Sequence, residues 1–119
     1  MQQDHPRMNI TTEGDVTVVE LTDRKILDEV NISRISERLQ GLIAKAESPK
    51  FVLDFSNVVH MSSSALGMLI TLHKRVREKK GQLRLSGIQA AIYEVFVITR
   101  LNEIFEISES VEEALKTLN

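Results

Sequence analysis

Residues 62–64 are three consecutive serines, set in the run "VVHMSSSALGML" between an apolar stretch and a helix-like pattern. From residue 64 onward Ala65, Met68, Leu69, Leu72 and Val76 recur at helical spacing, so the serines stand at a helix start. That end of a helix leaves backbone N–H groups without intrahelical acceptors and carries partial positive charge. A serine there can accept one of those N–H groups as a cap. It can also serve as a phosphoacceptor, because a phosphate would meet the same donors and the same dipole favourably. Spacing alone leaves both uses open.

Catalysis is a poorer fit. The chain has no G-x-S-x-G elbow, no glycine-rich phosphate loop and no H-E-x-x-H. His5, His60 and His73 show no ligand spacing, and the absence of cysteine removes disulfides and thiolate metal sites. A hydrolase built on Ser63 would need a positioned base, and no pattern nominates one. The expectation is a non-enzyme with no catalytic residue, no metal and no cofactor. His60 reads as an exposed loop residue or as a contact to a partner or phosphate, and Met61 as a gap-filling core side chain. Asp54 interrupts the apolar run "KFVLDF" (50–55). An unpaired buried carboxylate would be costly, so Asp54 is expected to accept hydrogen bonds from loop amides.

The elements that position these residues follow from periodicity. Residues 8–13 and 16–21 flank Gly14-Asp15 and predict a hairpin, with "RKIL" (24–27) as a short further extended piece. Ile32, Ile35, Leu39, Leu42, Ile43 and Ala46 predict an amphipathic helix over about 29–46. Asp28 sits at its N-cap position and Pro49 closes it. Residues 50–55 read as a strand covered on both faces. The serine-led helix runs to Lys79-Lys80-Gly81, with cations in its last turn and Gly81 at the C′ position. "QLRLS" (82–86) predicts a strand, Ile88, Ala91, Ile92, Val95 and Phe96 a third helix, and "EIFEI" (103–107) a last strand. Ser110 and Glu113 form a capping-box pattern before a terminal helix. This order predicts a single α/β domain over 1–119: a mixed β-sheet with an N-terminal hairpin and about four helices packed on it, residues 1–7 being flexible. In such sheets functional loops gather beyond the carboxyl ends of the strands, where the serines lie.

Composition sets the frame. With 42% apolar and 27% charged residues the chain is globular rather than disordered, and 119 residues suit one core. No apolar run approaches the roughly 18–20 residues of a membrane span. The first residues lack the layout of a secretory signal. Together with the missing cysteines this gives an expected cytoplasmic location with no direct membrane insertion. A net charge of −2 gives no reason to expect nucleic acid. Charge is nevertheless uneven: residues 73–84 carry six basic groups against Glu78, and residues 101–119 carry five acids against Lys116. These are two solvated helix faces or a partner-facing surface with charge polarity.

The run "VLDFSNVVHMSSSALGMLI", with Asp54, Met61, Ser63, Ser64, Leu66 and Gly67 at these intervals, resembles the central motif of the STAS domain. More narrowly, it is similar to the bacterial anti-sigma factor antagonists. "ILDEVNISRISERL" matches that family's Leu-Asp entry into the first helix, and "GQLRLSGIQAAIYEVFVITRLNEIFEISESVEEAL" its later strand, third helix and ending. The resemblance implies that Ser63 is phosphorylated by an anti-sigma factor that is also a serine kinase, with a cognate serine phosphatase restoring it. It implies a partner surface around Asp28, His60, Ser62, Ser63 and Ser64, and for Asp28 the N-cap role stays open beside that one. Ser62 stands where the family commonly has Asp. That removes a negative charge beside the acceptor and leaves a neighbouring hydroxyl, Ser62, as the alternative modified position. Ser64 is then available as a cap. Unmodified, such a domain binds the anti-sigma factor and frees the sigma factor; phosphorylated, it lets its partner go. The alternative is an unphosphorylated STAS docking subunit of a transport complex or signalling assembly.

Overall fold

The computed structural model describes residues 8–118, so the expectation for 1–7 lies outside the described residues. Met8–Glu13 (β1) and Val16–Leu21 (β2) form an antiparallel hairpin pairing Met8 with Leu21 and Glu13 with Val16. There follow Lys25–Ile26 (β3), Glu29–Lys45 (α1), Lys50–Asp54 (β4), His60–Met61 (β5) and Ser63–Glu78 (α2). The chain continues through Gln82–Ser86 (β6), Ala90–Ile98 (α3), a 3₁₀ turn at Leu101–Glu103, Glu106–Ser108 (β7) and Val111–Lys116 (α4).

The main sheet has the order β1-β2-β4-β6-β7, antiparallel only in the first pair. The three parallel steps are each crossed by a helix, and successive crossovers in one direction along a sheet put their helices on one face. Accordingly α1, α2 and α3 share one core with the Val19, Leu21, Phe51, Leu53, Leu83 and Leu85 side of the sheet. The other side, Val16, Val18 and Val52, is covered by α4 through Ala114. β4 is therefore buried on both faces, as its unbroken apolar run requires. The expected α/β architecture is the one found, with one addition: β3 pairs with β5 in a separate two-stranded sheet, which makes His60 a strand residue rather than a loop one.

Several boundaries differ, for identifiable reasons. The last strand begins at Glu106, because the amides of Ile104 and Phe105 both reach back to the Leu101 carbonyl at 3.0 Å, folding that stretch into a turn. Leu101 and Phe105 are buried from within that turn. The third helix starts after Gln89, leaving Ile88 in the loop. Gly81 is not at C′. Lys80 takes that position at φ 59°, and the Gly81 amide closes the helix by donating to the Val76 carbonyl at 2.9 Å. Gly81 is required for a different reason: a Cβ there would lie 2.2 Å from the Pro49 carbonyl oxygen.

Candidate functional site

The short strand pair β3–β5 builds the site. It runs parallel, with Lys25 opposite His60 and Ile26 opposite Met61. The Val59 amide donates to the Arg24 carbonyl at 2.7 Å and the Ser62 amide to the Ile26 carbonyl at 3.1 Å. The segments entering α1 and α2 are thus tied together, and two helix N-termini stand side by side beyond the sheet.

At the first of these, the Asp28 carboxylate accepts the Asn31 amide at 3.0 Å, and the Asn31 side chain donates to Asp23 at 2.6 Å. Asp28 is an exposed N-cap, as its position in the sequence suggested. At the second, the three serines have three separate surroundings. Ser62 Oγ accepts the Ala65 amide at 3.2 Å, so Ser62, not Ser64, is the N-cap of α2. Ser64 Oγ donates to Glu29 Oε2 at 2.6 Å, joining the two helix starts. Between them Ser63 is the first helical residue, exposed, with a hydroxyl that makes no hydrogen bond among the described residues. Ser64 cannot cap because the helix begins one residue earlier than its apolar periodicity indicates, which moves the N-cap back to Ser62.

Glu29 is the residue that sequence reasoning missed. An acid in the first turn of a helix is ordinary complement to the dipole. Its meeting with Ser64, 35 positions away, depends on the β3–β5 pairing and has no local signal. Asp54 does as expected: its carboxylate accepts the Ser56 amide at 3.0 Å and holds the loop that leads to β5. Met61 is partly buried against the core, and His60 is exposed beside the serines.

The surroundings suit a flat contact better than a small ligand. A cavity of about 130 Å³ lies between Val59, His60, Met61, Leu66, Ile92 and Val95, below the roughly 300–1,000 Å³ usual for small-molecule sites. Val95 in its lining is 40% exposed, and elsewhere Leu27 and Val30 at the start of α1 and Ile98 at the end of α3 are 49%, 59% and 80% exposed. Among the described residues no group of three or more His, Cys, Asp or Glu could hold a metal ion, and no helix is long and apolar enough to cross a membrane. The basic stretch 73–84 lies apart from the site and is partly structural. Lys79 Nζ caps the end of α1 at the carbonyls of Ile43 (3.2 Å) and Ala44 (2.8 Å), and Arg84 Nε donates to Thr117 Oγ1 at 2.8 Å.

The family model of the STAS domain matches residues 7–114. An anti-sigma-B factor antagonist of Listeria monocytogenes is 24% identical over 106 residues, covering 89% of this chain and 82% of that protein. In fold, the chain is similar to an anti-sigma-factor antagonist (STAS) domain protein from Planctomyces limnophilus, with a TM-score of 0.83 at 23% identity over 94% of this chain and 97% of that one. It is also similar to the Bacillus cell fate determinant SpoIIAA in its phosphorylated form, with a TM-score of 0.69 at 15% identity over 92% and 96% of the two chains. The family match runs through all seven strands and into α4, across the serine-led helix and the strand pair that positions it, and the chain belongs to the STAS domain family.

Proposed function

We propose that this protein is an anti-sigma factor antagonist that works by phosphorylation-controlled partner switching, with Ser63 as the phosphoacceptor. One observation carries the reading: of three adjacent serines, Ser62 and Ser64 have engaged hydroxyls, and Ser63 presents a free one to solvent at a helix N-terminus. Modifying Ser62 instead would disturb a cap worth about 1 kcal/mol. Similarity to antagonists in sequence supports the partner class, an anti-sigma factor with serine kinase activity, opposed by a serine phosphatase. The small cavity beside the serines, about 130 Å³ and lined in part by Val59, Leu66 and Val95, supports a protein rather than a small molecule as the ligand.

The switch acts on binding and leaves the fold in place. A phosphate brings about −1.5 to −2 charges and three acceptor oxygens. At the first residue of α2 it faces the unpaired amides and the positive end of the dipole, so the free protein accommodates it. Within an apolar contact the same charge is desolvated without a partner, at several kcal/mol, and about 3 kcal/mol corresponds to about a hundredfold in affinity. No proton transfer or bond-making by this chain is required, and we read it as a non-enzyme with Asp28, His60, Ser62 and Ser64 framing the contact.

The test is intact-mass spectrometry with site mapping on the protein from its native host, in growing and stressed cells. A single phosphate on Ser63 that varies with condition supports the switch. Phosphate on Ser62 keeps the switch and moves the acceptor. A chain never phosphorylated in any condition overturns the reading in favour of a constitutive docking module.

A further inference from the structure

A second surface, adjoining the serine site at Asp28 and running away from it along α1, has the chemistry of a binding groove. Between the β2–β3 loop and the outer face of α1 lies an open groove of about 1180 Å³. Arg34, Arg38 and Lys45 line it from the helix, Arg24 from the loop and Lys25 from the start of β3. None of these five side chains makes a hydrogen bond or ion pair among the described residues. Three acids also line it. Two of them are engaged, Asp28 in capping and Asp23 by the Asn31 side chain, and Glu37 faces the groove as the third.

Two local features of α1 run against helix stability, and both fall on this stripe. Arg34 and Arg38 are like charges four residues apart, which repel. Gly41 sits inside the helix, one turn before its end, where glycine is less favourable than alanine, although a Cβ there would meet nothing within 4 Å. Packing therefore does not demand this glycine. Positions 30, 34, 38, 41 and 45 form one line along the helix. A side chain at 41 would project into the groove between the cations, and glycine leaves a bare floor on which another backbone can lie. Departures from local preference that the fold does not need are expected where binding is served.

We infer that this groove docks an extended acidic peptide segment of a partner protein, its carboxylates against Arg34, Arg38, Lys45 and the Arg24–Lys25 pair and its aliphatic side chains against Val30 and Leu42. The stripe from 30 to 45 is about 22 Å long, which an extended segment of about seven residues spans. Nucleic acid fits less well, because no aromatic side chain lines the groove to stack a base and its acids would oppose evenly spaced phosphates. The inference does not rest on phosphorylation of Ser63 and stands or falls separately from it.

The experiment titrates the ¹⁵N-labelled full chain with a blocked peptide of about eight residues alternating Glu and Leu, long enough to cover the stripe. Expected are amide shifts confined to 22–25 and the exposed face of α1, abolished by salt of about 1 M, where charge interactions are screened within about 3 Å. R34E/R38E weakens binding by about tenfold or more, which in free energy is about 1.4 kcal/mol. Gly41→Leu does the same while its melting temperature stays level or rises, separating a blocked groove from a damaged fold. Absence of groove shifts at millimolar peptide overturns the inference. So does binding that R34E/R38E leaves unchanged, or tighter binding of single-stranded RNA at the same salt. Concentration-dependent self-association that R34E/R38E abolishes also overturns it, by assigning the groove to a second copy of this chain.

Discussion

The N-termini of α1 and α2 lie next to each other and are built on one plan, with an extended N-cap residue whose side chain accepts the amide three positions on. They differ in charge. α1 is capped by a carboxylate and has Glu29 in its first turn, so its dipole is already complemented by two acids. α2 is capped by a neutral hydroxyl and has no acid in its first turn. α1 carries its own acids at its start, whereas α2 has none of its own and meets a carboxylate only through the contact of Ser64 with Glu29. The Ser64–Glu29 hydrogen bond fixes the two helix starts side by side. A phosphate on Ser63 would supply to α2 what Asp28 and Glu29 already supply to α1.

The strongest way to break this comparison is to place the charge. Stoichiometric phosphorylation of Ser63, or Ser63→Asp as a weaker mimic, is expected to reduce affinity for the cognate anti-sigma factor by about a hundredfold for the phosphate. The midpoint of urea unfolding should move little. Calorimetric titration beside denaturation checks both, and loss of binding together with a collapse of stability would mean that the charge acts through the fold.

The caps come next. Ser62→Ala and Asp28→Ala should each lower unfolding free energy by about 1 kcal/mol in urea melts. Ser62→Asp should instead raise it by roughly 0.3–1 kcal/mol, because α2 lacks an acid there. Asp28→Ser should not stabilise α1. If Ser62→Asp destabilises the protein, the α2 terminus is not open to negative charge and the contrast fails.

Smaller still is the bridge between the two ends. A double-mutant cycle with Ser64→Ala and Glu29→Gln is expected to give a coupling of about 0.5–1 kcal/mol, as befits one exposed hydrogen bond to a carboxylate. A coupling near zero would detach the two termini from each other.

The smallest effect is a pH slope, and it belongs to the far part of α2. His73 is half-buried with its ring edge-on to Phe105 at 5.2 Å; burial lowers its pKa and the nearby Arg77 charge adds to this. The folded state then resists a proton that the unfolded chain accepts. Stability is fully present above the ordinary value of 6.5 and declines as pH falls through it towards the lower folded value. His73→Phe should flatten that slope in thermal melts between pH 7 and 5 while leaving partner binding unchanged. A matching loss of partner binding would show that this region communicates with the serine site.

Much of this molecule was legible locally. Asp28 and Ser110 were readable as caps because a cap uses a side chain and an amide three residues away. The apolar periodicity of α1 and α2 and the doubly buried run of β4 announced their layers. Where chemistry was repeated or apolar residues were in excess, local reading lost its grip. Three serines in a row offer three equivalent caps, and choosing Ser62 required the β5 strand that ends at Met61. Gly81 looked like a helix terminator by type, yet its need comes from Pro49. Ile104 and Phe105 read as strand residues, but one is half exposed and the other is buried from a turn.

Sequence by itself determined the order of the helices and of the main-sheet strands, the helix faces and a serine-led helix beyond the central strand, since these depend on periodicity and on groups a few residues apart. Only the tertiary structure decided which serine is free, that Glu29 holds Ser64, and that the cations of α1 and of the β2–β3 loop converge on one groove. Those outcomes are set by the parallel pairing of two-residue strands and by crossovers over a shared sheet, which join residues about 35 positions apart. Contacts at that separation leave no imprint on local spacing.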